Sequence, residues 1–556
     1  MNIKELYGIG NNLFSKRMPL VSLWQEISDH MYPERADFTL RRSIGNDFAS
    51  NLMTSYPVMC RRDLGNQLGT MLRPTAKSWF HIQRRYIENE DNEVQRYLER
   101  FEKVQRRAMY DPISMFTRAT KEGDHDFAAF GQCVISVEVN SDSKYGQHLL
   151  YRCWHLRDVA WQENAAGQVA YVFRKWKPTV HTLCSTFKNV DPKITKINEK
   201  TPFEEIEVMH MIVDAEMFDD DAKGKPRWSI WYDFTNDHIM EAKPIWGKHY
   251  IIPRWQTVSN SQYSYSPATV AALPDARLIQ AMTFTLLEAG EKATSPPMVA
   301  TIDAVRSDVN LFAGGITWID QEYDERLGEA LRPLNQDFRG FNFGTAMVQD
   351  TRGLIREAFY LNTLSMPQRS AEMTAYEVGQ RVQEYIRNAL PIFEPLEAEY
   401  NAALCDETFD LLAKNGAFGS PADWPKELRG AGVEFTFESP LHDAIDQQKG
   451  HKILEVKTLL ADAIALDPST AMILDAKAAL RDALSGIQTP ATWIRPESEV
   501  EAMEKQQQEA MQAQQMLSGM EQASKVAGNL ASAQKDQATA PMPMPTPGSQ
   551  PAGVPA

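Results

Sequence analysis

The sequence predicts a mixed α+β protein, mainly helical, on three observations. Apolar residues recur at three- and four-residue spacing through most of the chain, the period of a helix with one buried face. Between Gly131 and about residue 260 the spacing shifts to alternation and short apolar runs such as Cys133-Val-Ile-Ser-Val-Glu-Val139, the pattern of strands. With 556 residues, 43% apolar and 24% charged, the chain can fill more than one core.

Leu13, Met18, Leu20, Leu23, Trp24 and Ile27 form the first amphipathic face, with Pro19 interrupting it or beginning a turn and Tyr32-Pro33 closing it. A second helical region is expected from Ala49 to Leu72, with Pro57 as a boundary or kink, and Pro74 ends it. Trp79 to Ile82 reads as a short strand or packed linker. Val94, Leu98, Phe101, Val104 and Met109 restore helical spacing over 90–131. The β-rich region follows, with strands at 133–139, 149–154, 169–176, 205–215 and 228–234, and a hairpin loop at Asp219–Pro226.

Helix returns at about Ala268 and stops at Thr294-Ser-Pro-Pro297. Short strands are expected at Pro297–Thr301 and Ile316–Ile319, and helix again over Thr345–Tyr360. Residues 362–372 are polar and break the periodicity at Met366, Pro367 and Gln368. A long helix starts near Met373, bends at Pro391 and Pro395, and runs through Leu412 to a stop at Gly416 and Gly419. Val433-Glu-Phe-Thr-Phe-Glu438 alternates as a strand, and 441–465 and 469–484 read as helices. Residues 499–533, rich in Gln, Ala, Met and Glu, favour helix but offer few large core side chains. The Pro-rich end reads as a disordered tail.

Composition narrows the function. No run of about 18 uncharged apolar residues is present to span a membrane, and the first residues lack the apolar core of a secretory signal. Five scattered cysteines without a CxxC pair read as reduced thiols in a cytoplasmic setting. The net charge of −16 is uneven: residues 1–120 hold 18 Lys and Arg against 14 Asp and Glu, so the remainder carries −20. That leaves only short basic pairs, such as Arg61-Arg62 and Arg106-Arg107, instead of the long basic face of a protein that clamps DNA.

Catalytic and metal-binding patterns are weak. No GxxxxGK[ST] phosphate loop occurs, and no Ser/His/Asp or Cys/His order stands out. His148, Cys153 and His155 lie close in sequence but on expected strands and without a second pair of ligands, so a metal site is disfavoured. Asp219, Asp220 and Asp221 read as a solvated turn before a cation site. Trp228, Trp231 and Tyr232 read as sheet packing before base stacking. No catalytic residue, cofactor or metal is assigned.

Three segments, in order, carry a family resemblance: Trp24-Gln-Glu-Ile-Ser-Asp-His-Met-Tyr-Pro33; Ala49-Ser-Asn-Leu-Met-Thr54 through Leu68-Gly-Thr-Met-Leu-Arg-Pro-Thr-Ala-Lys-Ser-Trp-Phe80; and Arg369 to Arg381, with Met373-Thr-Ala-Tyr-Glu-Val-Gly-Gln-Arg381. Together they resemble the portal, or head-to-tail connector, protein of short-tailed podovirus-type bacteriophages, over residues 3–485. The family often has a Tyr-Gly-Arg-Ser-Pro-like segment where this chain has Ser261-Gln-Tyr-Ser-Tyr-Ser-Pro267. Tyr265, Ser266 and Pro267 fit; the Gly and Arg are absent, and no role of that Arg is transferred.

The resemblance implies the phage portal fold, with wing, stem, clip and crown. The wing would comprise 1–130 (helical), 131–267 (β-rich) and part of 373–432, which holds the long bent helix. Stem helices would be 268–293 and 345–361, the clip 294–344 and a tunnel loop 362–372. The returning strand and crown helices would occupy 433–498, a helical barrel 499–535 and the tail 536–556. It further implies a structural, non-enzymatic ring of twelve copies at one capsid vertex. DNA would pass through the ring during packaging and ejection. Partners would be the large terminase, a tail adaptor, major capsid or scaffolding proteins, internal core proteins and non-specifically held double-stranded DNA. The place would be the virion portal vertex, after assembly in the host cytoplasm.

On this mapping Asn362, Thr363, Ser365, Gln368 and Arg369 face the channel, where neutral polar groups touch phosphates without trapping them. Arg369 has two readings that the residues leave open, a phosphate contact or an ion pair with Glu372 or Glu377. Ser370 is expected to cap the helix that follows, with Glu372 favourable in its first turn. The competing classes are another virion structural component, a packaging nuclease or ATPase, and a cytoplasmic helical scaffold. The enzyme lacks a visible metal or phosphate constellation, and the scaffold explains the β-rich centre poorly.

Overall fold

A computed structural model describes residues 1–40, 52–75, 78–87, 92–142, 146–219, 222–259, 261–300, 331–333, 339–363 and 396–437, with isolated positions and short stretches elsewhere as far as 525. It divides into two compact units, 1–87 with 97–488, and 88–96 with 489–556. In the second, residues 505–514 are helical and wholly exposed, matching a segment with helix propensity and little core.

In the first unit, α1 (Ile3–Lys16) begins in a capping box between Asn2 and Glu5. The chain breaks at Arg17, and Pro19 sits in the first turn of α2 (Met18–Met31), where its missing N–H costs nothing. A 3₁₀ turn at Pro33–Arg35 closes α2. The next helix, α3 (Tyr56–Leu72), carries Pro57 in its first turn. Proline therefore starts this helix, and residues 52–55, expected to be helical, are not.

The stretch expected as one helix over 90–131 is two, α4 (Asn92–Met109) and α5 (Phe116–Phe130), separated by a turn in which Asp111 accepts from the Ile113 N–H. β1 (Phe80–Arg84) is a strand, and its partner is β14 (Val433–Phe437), antiparallel and some 350 residues away.

The β-rich region holds two antiparallel sheets. One has three strands: β2 (Val134–Asp142) lies between β3 (Gly146–Trp154) and β9 (Tyr250–Ile251). The other is a five-stranded meander of β4 (Val159–Glu163), β5 (Val169–Trp176), β6 (Val208–Asp214), β7 (Arg227–Asp233) and β8 (His238–Ile245). Two short helices, α6 (Val180–Thr186) and α7 (Pro192–Lys200), interrupt the sequence between β5 and β6 and were not anticipated. A single helical turn, α8 (Ala215–Phe218), lies inside the β6–β7 hairpin. β10 (Gln256–Thr257) and β11 (Ser264–Tyr265) pair at the end of the region.

Helix α1 covers one face of the meander. Leu6 and Leu13 pack on Phe173, Met209, Met211, Ile230 and Tyr232. The opposite face carries Arg174, His210 and Ser229 toward Tyr250 of β9 and Trp154 of β3, in a buried polar cluster: Arg174 Nε donates to Tyr250 Oη at 2.7 Å, which bonds His210 Nδ1 at 2.6 Å. β6 is consequently buried on both faces over Val208–Val213, which explains its near-continuous apolar run.

From this body a long excursion leaves and returns. α9 (Pro267–Thr294) leads out to a two-stranded ribbon, β12 (Met298–Ala300) with β13 (Leu331–Pro333), and α10 (Arg339–Ala358) leads back. Residues of the strand expected at 316–319 lie, Trp318 apart, outside the described residues. So do Pro391 and Pro395. The C-terminal part of the long helix is described: a π-helical turn, Glu397–Asn401, runs into α11 (Ala402–Lys414), and Gly416 and Gly419 adopt φ of +74° and +86° after it.

Candidate functional site

The α9–α10 excursion is rooted by side chains and bare at its far end. At the root of α9, Ser266 caps the helix by accepting from the Thr269 N–H. The Ser266 and Thr269 hydroxyls donate to the carbonyls of Ala128 and Ala129 at 2.8 and 2.9 Å. The last carbonyls of α5 are thereby satisfied by the first turn of α9. Three turns further, the buried Gln280 amide accepts from the Met53 and Thr54 N–H groups at 2.7 and 3.0 Å and donates to the Thr54 carbonyl at 2.9 Å. Neither contact was foreseen, because glutamine in a helix carries no positional signal.

Past Gln280 no side chain of α9 is buried, and in α10 the first buried residue is Val348. The exposed half of α9, residues 281–294, is about 21 Å long at 1.5 Å per residue. α10 lies against it closely enough that a Cβ on Gly344 would stand 2.9 Å from Leu286 Cδ2. A cleft of about 400 Å³, lined by Met282, Leu286, Ala289, Phe341 and Gly344 among others, opens between the helices. Phe284 and Leu287, each 54% exposed, sit away from that cleft on the other side of α9. Exposed apolar side chains grouped on one helical pair have the pattern of an interaction surface.

α10 ends where the polar segment begins. Ile355, Phe359 and Leu361 are buried, while Tyr360 takes a left-handed φ of +57°. The Leu361 N–H donates to the Arg356 carbonyl at 3.2 Å, the six-to-one bond of a Schellman stop. Asn362 follows, exposed, with its Oδ1 accepting from Arg356 Nε at 2.8 Å, so its amide folds back on α10. Thr363 is half-buried in the turn. Ser365, Gln368, Arg369, Ser370, Glu372 and Glu377 lie outside the described residues.

Leu396 leads directly into the π-helical turn, which the sequence does not announce. Its side chains reach three elements of the body. Glu399 meets Arg254, Tyr400 is buried against Phe127 at 5.7 Å, and Asn401 accepts from Arg73 at 2.8 Å while donating to the Leu72 carbonyl at 3.1 Å. Arg73 is also ion-paired with the buried Asp124. Removing either charge would leave the other stranded in the interior.

The sequence matches the family model described as bacteriophage head to tail connecting protein over residues 4–494. The chain belongs to that family. It is also 22% identical over 548 residues, 95% of each chain, to a protein named portal protein from Salmonella phage epsilon15. The family match spans the excursion, the polar segment and the π-helical turn alike.

In this head-to-tail connecting protein the weaker chemical candidates have structural places. His155 Nε2 bonds Asp37 at 2.6 Å, the Cys153 thiol faces Asp126, and His148 is half-buried near the Gly146 carbonyl. The three are engaged separately, and among the described residues no group of three or more His, Cys, Asp or Glu is placed to hold a metal. Trp228 Nε1 donates to the Asp219 carbonyl, and Trp231 stacks on His210 at 4.1 Å, so both pack within the meander.

Proposed function

We propose that this chain is the subunit of a portal ring at one capsid vertex, a structural conduit for DNA during packaging and ejection. The observation that carries the reading is the family match over residues 4–494, and the α9–α10 hairpin supports it. A helical pair that, among the described residues, is buried only toward its root and carries exposed apolar side chains beyond it suits a neighbour, and a second copy of the same chain supplies one in a closed ring. On this reading the wing is the body built by 1–267 with 373–432, the stem is 268–293 with 345–361, and the clip is 294–344. The crown comprises 433–498, with 499–535 able to extend it as a barrel.

The ring would hold twelve copies, dock the large terminase and later a tail adaptor at the clip, and contact capsid or scaffolding protein around the wing. An external ATPase would drive DNA. The excess negative charge beyond residue 120 lets the duplex slide without being held. Residues 362–372 would face the channel, with Asn362 and Thr363 at the end of α10. Arg369 either touches phosphate or pairs with Glu372 or Glu377. Packaged DNA in Arg369→Ala particles separates these, since unchanged packaging favours the pairing. Negative-stain class averages of the purified protein test the ring itself: closed rings with an axial hole are expected, and discrete monomers across salt conditions would overturn the proposal.

A further inference from the structure

The sequence offers Arg106-Arg107 as a basic pair, but helix α4 separates the two. Arg106 Nη2 turns back to donate to the Thr75 carbonyl at 2.9 Å. Arg107 joins Arg100 and Lys103 at three- and four-residue spacing, and all three are exposed. At 3.6 residues per turn they fall within about 60° of one another around the helix. This line runs opposite the buried one, which carries Leu98, Phe101, Gln105 and Met109. The buried side fixes α4 to the body. Gln105 Nε2 donates to the Cys405 carbonyl at 3.1 Å, and Glu102 accepts from the Ile82 N–H at 2.8 Å.

The line is short of counter-charge. Lys103 has Glu99 at 3.8 Å yet stays 73% exposed, and Arg100 and Arg107 make no ion pair among the described residues. Glu93 is the one exposed carboxylate of α4, and it stands about 10 Å before Arg100 along the axis. No large apolar side chain of α4 is exposed, in contrast to Phe284 and Leu287 on α9. A protein-docking patch carries an aromatic or apolar centre from which charge is depleted. A surface that takes a nucleic acid is polar and cationic instead. Arginine's planar fork can hold one phosphate through two oxygens. Arg100 and Arg107 are about 10 Å apart along the helix, the rise of about three nucleotides of one strand.

We infer that the outer face of α4 is a contact for the DNA backbone, separate from the channel segment, in which Arg100, Lys103 and Arg107 meet successive phosphates of one strand without reading sequence. Three contacts touch a duplex and release it, which a long basic face would not. That the duplex is the one passing through a portal rests on the function proposed above; the affinity of this face for DNA does not.

The test uses the purified full chain and a fluorescent duplex of about 15 base pairs, with binding followed by anisotropy between about 50 and 200 mM salt. One variant combines Arg100→Ala, Lys103→Ala and Arg107→Ala, exposed positions at which alanine keeps the helix. A second removes the same charge from another exposed helical face, with Lys193→Ala, Lys196→Ala and Lys200→Ala on α7. Circular dichroism and thermal midpoints check that both fold. The α4 variant should lose about 0.9 per phosphate from the slope of log affinity on log salt, about 2.7 in all. Wild type then loses about 40-fold more affinity than that variant across the salt range. The α7 variant should behave as wild type. No binding by wild type at the lowest salt overturns the inference, as do equal slope losses from the two variants. Poly-glutamate of the same charge that binds wild type more tightly than the duplex makes an acidic protein the partner and also overturns it. Monomers that bind the duplex through α4 overturn the ring but support this contact, whereas rings that do not bind it overturn this contact alone.

Discussion

Replacing Gly131 with alanine separates two costs that a helix-terminating glycine can hide. Gly131 ends α5 with φ +71°, its N–H on the Phe127 carbonyl at 2.8 Å. Gly416 follows α11 with φ +74° and has nothing within 4 Å of where a Cβ would stand. A Cβ on Gly131 would instead fall inside the Tyr265 carbonyl and the Ser266 amide nitrogen, all backbone. Alanine in the left-handed region costs about 1–2 kcal/mol at either site. At 131 the collision adds about 1–3 kcal/mol or more, because backbone cannot yield as a side-chain tip can. Gly416→Ala should therefore lower stability by about 1–2 kcal/mol and Gly131→Ala by about 2–5 kcal/mol. Apparent thermal midpoints at one scan rate read the difference. The displaced residues also cap α9, so the Gly131 variant should lose rings as well. Equal losses from the two variants would refute the reasoning, since they would mean that the approach of β11 to the end of α5 constrains nothing.

Two further outcomes follow from the geometry. Phe284→Asp with Leu287→Asp leaves the monomer's core untouched but forfeits about 1.5–3 kcal/mol of burial per side chain wherever a neighbour covers them; far-ultraviolet circular dichroism should be unchanged while rings disappear from micrographs. His125 titrates low, at about 4, because burial and then the Arg61 and Lys121 cations oppose its charging. The unfolded chain thus binds the extra proton first as pH drops below about 6.5. Stability should fall between about pH 6.5 and 4 by at most about 3 kcal/mol, less after solvent screening of the partly exposed ring. His125→Asn, whose Oδ1 can still accept from Arg61, should shrink the midpoint difference between pH 7 and 4.5, and an undiminished difference would exclude His125 as a source.

Legibility divided along sequence separation. The helix of α9 was readable almost to the residue because its stop is a local signal, Thr294-Ser-Pro-Pro297 after regular apolar spacing. The turn at Asp111-Pro112 was equally local, but it was overlooked because apolar spacing on either side stayed in phase. The apolar positions Leu52 and Met53 extend the helical spacing back over residues 52–55, although Pro57 is better suited to begin a helix than to sit inside one. Tyr360 gave no warning of its left-handed turn, since only glycine or asparagine advertises that conformation.

By itself the sequence determined the order of helical and β-rich regions, the position of the polar break after α10, the family, and the charge balance that argues against a DNA clamp. These depend on periodicity, composition and short motifs, which neighbouring residues express directly. Tertiary structure alone decided that β1 pairs with β14, that Gln280 closes on Met53 and Thr54, and that Arg254 joins Glu163 to Glu399. It also decided that the helix before α11 takes an extra residue in its turn. Each of these brings together groups some 90 to 350 residues apart, and what stabilises them is satisfaction of buried polar groups and backbone, which no local pattern of side chains announces.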